Sequence, residues 1–335
     1  MYYTLMKKLI LPLCLLSTSV FCAEVDHYSK RAIPLEDSLE KVNLMANEHL
    51  QVALDRVNST ETCSLTKKSQ AKLYKSLKSE FANHMKGQFT KELIHSESID
   101  LHKTHINNSI YRDWNFSDGV VLAIAKMKRG KTNSFGLSPL ININEHYIGI
   151  DKFEHMFGMG FIYFRLHHHK NWSVKSVLKH GIFREKAVLG GNIIETGVFA
   201  YADLSANFNG MRFWNHMLQL QDDVLGKVHN IGPYIKCENG KWISNKKIDF
   251  SKYIDNTMDE TLNCSKFASK RSLRKFTRRI KEINPDNTCP MSSAKINKTL
   301  DKYQVKTSEK TMISDWLINT KGNGRLKFTN EFTKE

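Results

Sequence analysis

Hydrophobic residues recur along this chain at helical spacing, in stretches separated by polar or proline-bearing gaps. Leu35, Leu39, Val42, Ala46, Leu50, Ala53, Leu54 and Val57 follow steps of three and four, which predicts a helix closed by Asn58-Ser59. Leu73, Leu77 and Phe81 predict a second helix after the polar stretch from Thr62 to Ser69. Tyr111 to Ser117 predicts a loop, and Gly119 to Met127 a short apolar helix ending at the turn-prone Arg129-Gly130-Lys131. Phe153 to Phe164 and Ala187 to Ala202 are apolar almost all round, as helices buried on several sides are. Neither matches the uninterrupted run of about 18 apolar residues that marks a bilayer span. After Pro233 the chain turns polar and holds three cysteines, Cys237, Cys264 and Cys289. The fold class this predicts is mainly α, a helical bundle with a disulfide-stapled, loop-rich C-terminal region. Its expected divisions are an N-terminal helical region at 24–139, a central module at 140–232 and the basic, cysteine-containing region at 233–335.

The start of the chain changes the picture of where the protein works. Lys7 and Lys8 precede an apolar run from Leu9 to Phe21, followed by Cys22-Ala23 and the first acid, Glu24. A positive start, a short apolar core and a small-residue exit predict a secretory signal peptide over residues 1–23. The expected location is therefore the periplasm or outer envelope of a bacterium. Four cysteines follow it, Cys63, Cys237, Cys264 and Cys289. An even count in an oxidising compartment predicts two disulfides, with three pairings open. No C-x-x-C spacing is present, which disfavours a zinc knuckle or a thioredoxin-like site.

Charge adds a class of partner. Among the 335 residues are 50 Lys+Arg and 34 Asp+Glu, with 41% hydrophobic residues and a mean hydropathy of -0.43. This composition excludes both a disordered polymer and a polytopic membrane protein. The excess of cations favours anionic lipid, lipopolysaccharide or cell-wall polymer, and export makes nucleic acid an unexpected partner. Positive charge is densest at Lys266, Lys270, Arg271, Arg274, Lys275, Arg278, Arg279 and Lys281, where Leu273, Phe276 and Ile280 supply the apolar stripe of an amphipathic helix.

One constellation carries candidate chemistry. Asp151, His155 and Gly158 fall at i, i+4 and i+7, within about 60° of one another on a helix. Asp203, Asn207 and Gly210 repeat the spacing, and Glu195 lies between the two sets with Gly191 a turn earlier. Ionisable groups on apolar helices cost several kcal/mol unless paired, so these should converge on one another, on a cation or on a ligand. A structural network, a binding site and a catalytic site are all consistent with that convergence. Asp151, His155, Glu195 and Asp203 form a donor set for a divalent metal ion. His167-His168-His169 closes the apolar helix, where neighbouring side chains diverge and imidazoles favour the helix C-terminus. No phosphate loop, G-x-S-x-G or H-E-x-x-H signature accompanies these residues.

The ordered pattern Asp151-Lys152-x-x-His155, Glu195 and Asp203-Leu204-x-x-Asn207-x-x-Gly210 resembles that of the VanZ-like and YfiM-like bacterial envelope families, over roughly residues 148–214. The resemblance implies a small helical envelope module whose characteristic polar positions are Asp151, Lys152, His155, Glu195, Asp203 and Asn207. It brings no settled reaction, and Val198 stands where a glutamine follows the glutamate in VanZ. The expected function is a non-enzymatic exported factor that binds anionic envelope components. The alternative is a metal-assisted hydrolase acting on a phosphorylated or lipid-linked envelope substrate.

Overall fold

The computed structural model describes residues 24–82, 87–127 and 137–327. The predicted signal peptide and the Arg129-Gly130-Lys131 turn lie outside them. The fold is mainly helical. Helices α1 (Leu39–Asn58) and α2 (Lys67–Phe81) pack together along the apolar stripes read from the sequence. The Thr66 side chain accepts the Ser69 amide at the start of α2, satisfying one of the helix's free donors. Helix α3 (Gln88–His95) completes this corner, and α4 (Val120–Met127) follows the turns at 111–118. A hairpin of β1 (Leu140–Ile143) and β2 (His146–Gly149) then leads into α5, a helix over 151–169. In α5, α-helical turns alternate with wider π turns at His155–Met159 and Arg165–His169.

Helix α6 (Val174–Ala187) begins at Ser173, whose side chain accepts the Ser176 amide. The expected buried helix over Ala187 to Ala202 does not form. The chain turns after Ala187 and re-enters extended backbone as β3 (Val198–Phe199). The reason is local: Gly190-Gly191 weakens any helix, the Asn192 side chain captures the Glu195 amide, and Gly197 sits at φ +75°. A Cβ at Gly197 would stand 1.9 Å from the Asp118 carbonyl oxygen, so only glycine fits.

Helix α7 (Tyr201–Leu218) runs through the middle of the molecule with all of its residues buried. It packs most extensively on α5, and two glycines set how close the helices come. A Cβ on Gly160 would meet the Gly210 Cα at 2.6 Å, and one on Gly210 would meet the Met156 carbonyl oxygen at 2.0 Å. Gly158, the glycine in register with Asp151 and His155, is buried in the same helix two residues earlier.

The C-terminal region continues with the hairpin β4 (Ile235–Glu238) and β5 (Lys241–Ser244), β6 (Lys266–Phe267), helices α8 (Lys270–Ile283) and α9 (Ser293–Leu300), the hairpin β7 (Lys306–Ser308) and β8 (Thr311–Met312), α10 (Ile313–Leu317) and β9 (Gly324–Arg325). Strand β6 pairs with β3 on one side and β9 on the other, sewing this region to the central helices. The largest apolar core takes residues from Val42 through Leu326, so the three expected regions share one interior. Cys63 joins Cys237 and Cys264 joins Cys289. The first bond crosses from the N-terminal helices to the β4–β5 hairpin; the second closes a loop within the C-terminal region. Among the described residues no helix is long and apolar enough to cross a membrane.

Candidate functional site

The spacing read from the sequence places Asp151, Lys152 and His155 on the first turns of α5, and Asp203 and Asn207 on the facing side of α7. The structure brings all five together. At their centre is Lys152, only 1% exposed. Its ammonium donates to Asp151 Oδ2 at 2.7 Å, Asp203 Oδ1 at 2.6 Å and Glu260 Oε1 at 2.8 Å. His155 bridges the two helices, with Nδ1 3.0 Å from Asn207 Oδ1 and Nε2 3.2 Å from Asp203 Oδ2. The imidazole thus has a polar partner on each helix. A π turn begins at His155, where the facing helices come closest.

Charge balance follows from these contacts. Burial alone would lower the Lys152 pKa, but Asp151, Asp203 and Glu260 outweigh it and hold the ammonium well above its ordinary value. Burial would raise Asp203, but His155 and Lys152 outweigh it and keep that carboxyl ionised far below its usual range. Two further acids lie at the edge of this centre. Glu24 accepts from the Thr196 hydroxyl and, at 3.4 Å, from the Tyr111 hydroxyl. Burial, followed by the repulsion of Glu260 and Asp203, pushes its pKa well up. Glu185, on α6, is fully buried, with the Ala200 backbone beside its carboxyl. Burial and the nearby Asp203 push its pKa up to about 8.

Glycines make the room. A Cβ at Gly149 would fall 2.0 Å from Asp151 Oδ1, and one at Gly190 would fall 2.8 Å from Glu185 Oε1 and 3.4 Å from Glu24 Oε1. Polar atoms of the centre thus occupy space that a side chain would fill elsewhere.

Glu195 does not join this group. It lies half-buried in the turn that replaces the expected helix, with its carbonyl accepting the Val121 amide. Burial alone raises its pKa, without a charged neighbour contributing. Glu260, Glu24 and Glu185 take the acidic places around Lys152 instead. Glu260 is delivered by the turn that runs up to Cys264, just outside the loop that the Cys264–Cys289 bond closes. The Asp259 carboxylate caps the Thr261 amide at 2.9 Å, and Ser265 donates to Glu260 Oε2 at 3.3 Å. Of these three acids only Glu185 left a sequence signal: it continues the apolar face of Leu178 and Ile182 at i+7.

Donor atoms of Asp151, His155 and Asp203 lie within 4.8 Å of one another, the spacing a divalent ion needs. Their engagement argues against one. Both oxygens of Asp203 are taken by Lys152 and His155, Asp151 Oδ2 is taken by Lys152, and Asp151 Oδ1 is aimed at Gly149. Asp151 Oδ1 keeps no hydrogen-bond partner among the described residues, so an ion bound here would have to compete with Lys152 and His155 for the other three oxygens.

Helix α7 carries a second polar stripe about 180° from the first, at Ser205, Asn209, Arg212 and His216. Arg212 Nε meets both oxygens of Asp223 at 3.1 and 2.9 Å and its Nη1 donates to Asn209 at 2.8 Å. His216 Nδ1 lies 2.9 Å from the Tyr253 hydroxyl.

The basic helix α8 docks through its expected stripe. Phe276 and Ile280 are buried against Tyr28 and the 106–114 segment, with Leu273 half-buried beside them. Arg278 pairs with Asp113 at 2.6 Å, Lys275 pairs with Asp118, and Arg279 pairs with Glu282 at 3.0 Å. Lys270, Arg274 and Lys281 make no ion pair among the described residues, and at about 100° per residue they form one line along the solvent side. Compared with family models, curated proteins and solved structures, the chain matches none.

Proposed function

We propose that this protein is an exported bacterial envelope factor that meets an anionic envelope component through helix α8. The observation that carries this reading is the line of Lys270, Arg274 and Lys281: three cations held on one side of a rigidly docked helix, with no acid of the described residues neutralising them. The ion pairs of Lys275, Arg278 and Arg279 fix the helix and leave that line to solvent. Three sequence features support the envelope setting: the signal-like first 23 residues, two disulfides suited to an oxidising compartment, and the VanZ-like and YfiM-like pattern. On this reading the Lys152 centre is a structural tie. It draws acids from the start of the described chain, from α5–α7 and from the turn before Cys264 around one ammonium, and so holds α8 on a fixed frame. The hydrolase alternative needs a metal ion that would compete with Lys152 and His155 for three of the four aspartate oxygens, and no step is derived through one.

The test is binding to vesicles containing phosphatidylglycerol and to soluble lipopolysaccharide. The native chain should bind at low ionic strength and release as salt rises, because exposed charges lose most of their reach beyond about 10 Å at 0.1 M salt. The triple variant Lys270→Gln, Arg274→Gln, Lys281→Gln should lose that binding with its melting temperature unchanged. Salt-independent binding, or an unaffected triple variant, overturns the proposal.

A further inference from the structure

Between α8 and α4 the surface changes character. The loop that α8 grips at Asp113 and Asp118 carries Phe116 at its tip, 51% exposed, and Ile124 and Met127 on α4 stand 40% and 69% exposed. Phe116 and Met127 also line a cavity of about 420 Å³ with Asn107, Trp114, Ala123 and Lys126. Lys126 is held there by the carbonyls of Arg112 at 2.5 Å and Trp114 at 3.0 Å. Single exposed apolar side chains are ordinary. Two of them lining one hollow, with a third close by on the same helix and a neighbouring helix dense in cations, are not. Segments 112–127 and 270–283 together hold nine Lys and Arg against Asp113, Asp118 and Glu282.

We infer that this face binds the surface of an anionic phospholipid bilayer, with Phe116 and Met127 entering the acyl boundary and Lys270, Arg274 and Lys281 against the headgroup phosphates. The inference deepens the preceding reading by naming its partner. Charge complementarity selects an anionic surface, and the exposed apolar pair selects a bilayer over a soluble polyanion, which has no apolar phase to receive it. The geometry is suited to shallow contact. Asp113 and Asp118 bracket Phe116 and are clamped by Arg278 and Lys275, so the apolar tip is fixed relative to the cations. A polysaccharide or a soluble lipopolysaccharide aggregate would use the cations and ignore the tip.

The experiment uses the native chain, the double variant Phe116→Ser, Met127→Ser, and the triple charge variant described above. Each is floated with phosphatidylcholine vesicles, with vesicles of phosphatidylcholine and phosphatidylglycerol, and incubated with soluble polyphosphate. The native chain should partition to the anionic vesicles and not to the neutral ones. Removing three cations should lower that partition on the order of 100-fold, at about fivefold per cation. The double variant should lower it about tenfold while leaving polyphosphate binding unchanged. All positions altered are exposed, and circular dichroism confirms that each variant is folded. If the double variant partitions like the native chain, the bilayer inference falls and the electrostatic reading stands. If neither anionic vesicles nor polyphosphate bind the native chain, both fall.

Discussion

Replacing Glu185 with glutamine tests the electrostatics of the Lys152 centre most directly. The Glu185 carboxyl is fully buried and its pKa is pushed up to about 8, first by burial and then by Asp203. Below pH 8 the folded protein keeps this proton, whereas the unfolded chain releases it above the ordinary glutamate value of about 4.5. Folding therefore takes up a proton between those limits. The group's favourable contribution is fully present below about pH 4.5 and is lost as pH rises toward 8. At about 1.4 kcal/mol per pH unit the loss amounts to about 5 kcal/mol in all, of which about 3 kcal/mol falls between pH 5 and pH 7.5. Glu185→Gln keeps the shape and the neutral charge of the protonated acid and removes its titration. Urea unfolding of both proteins with disulfides intact, at several values between pH 5 and pH 7.5, reads the difference. Acids such as Glu24 contribute to the pH dependence of both proteins, so the difference between their slopes isolates Glu185. The variant should lose about 3 kcal/mol less than the native chain across that range and be the more stable of the two at pH 7.5. Equal slopes within 1 kcal/mol, or a variant less stable at pH 7.5, would refute the assignment.

Two substitutions probe the frame around it. Lys152→Met leaves Asp151, Asp203 and Glu260 buried together without their cation and should cost at least about 3–5 kcal/mol, read as a lowered urea midpoint. A Cβ at Gly210 has only 2.0 Å to the Met156 carbonyl oxygen, so Gly210→Ala must push α5 from α7 and should cost on the order of 3 kcal/mol, read in the same assay, whereas Ala at the unobstructed Gly324 should cost less than about 1 kcal/mol.

The parts of the centre that were legible in the sequence are those set by helical spacing. Asp151 and His155 lie four apart on one helix and Asp203 and Asn207 four apart on another, so period alone puts each pair on a common face. Lys152 was legible as a member of the motif, but its place at the centre depends on Glu260, which arrives from a loop more than a hundred residues away. Spacing says nothing about such encounters. Glu195 misled because an apolar run from Ala187 to Ala202 reads as helix, while the glycine pair and Asn192 inside it decide for a turn. Helix α8 was read correctly because its stripe and its charges follow one period, and because its anchor, Phe276, sits in the middle of that stripe. The second polar face of α7 was overlooked for the opposite reason: Ser205, Asn209, Arg212 and His216 also recur at helical spacing, but their partners Asp223 and Tyr253 lie beyond the helix.

The Lys152 centre also dictates a sequence of events. Glu24 is among the first described residues to emerge as the chain is made, and Glu260 is separated from it by more than two hundred others. Until both have arrived, the ammonium and the acids meant for it face one another incompletely, in an interior that tolerates no unmatched charge. A chain still being made would therefore be unable to seal its middle piecewise. Its closure waits on the late segment, which makes the native state a product of the whole length and leaves a long interval in which a chaperone can hold the unfinished chain.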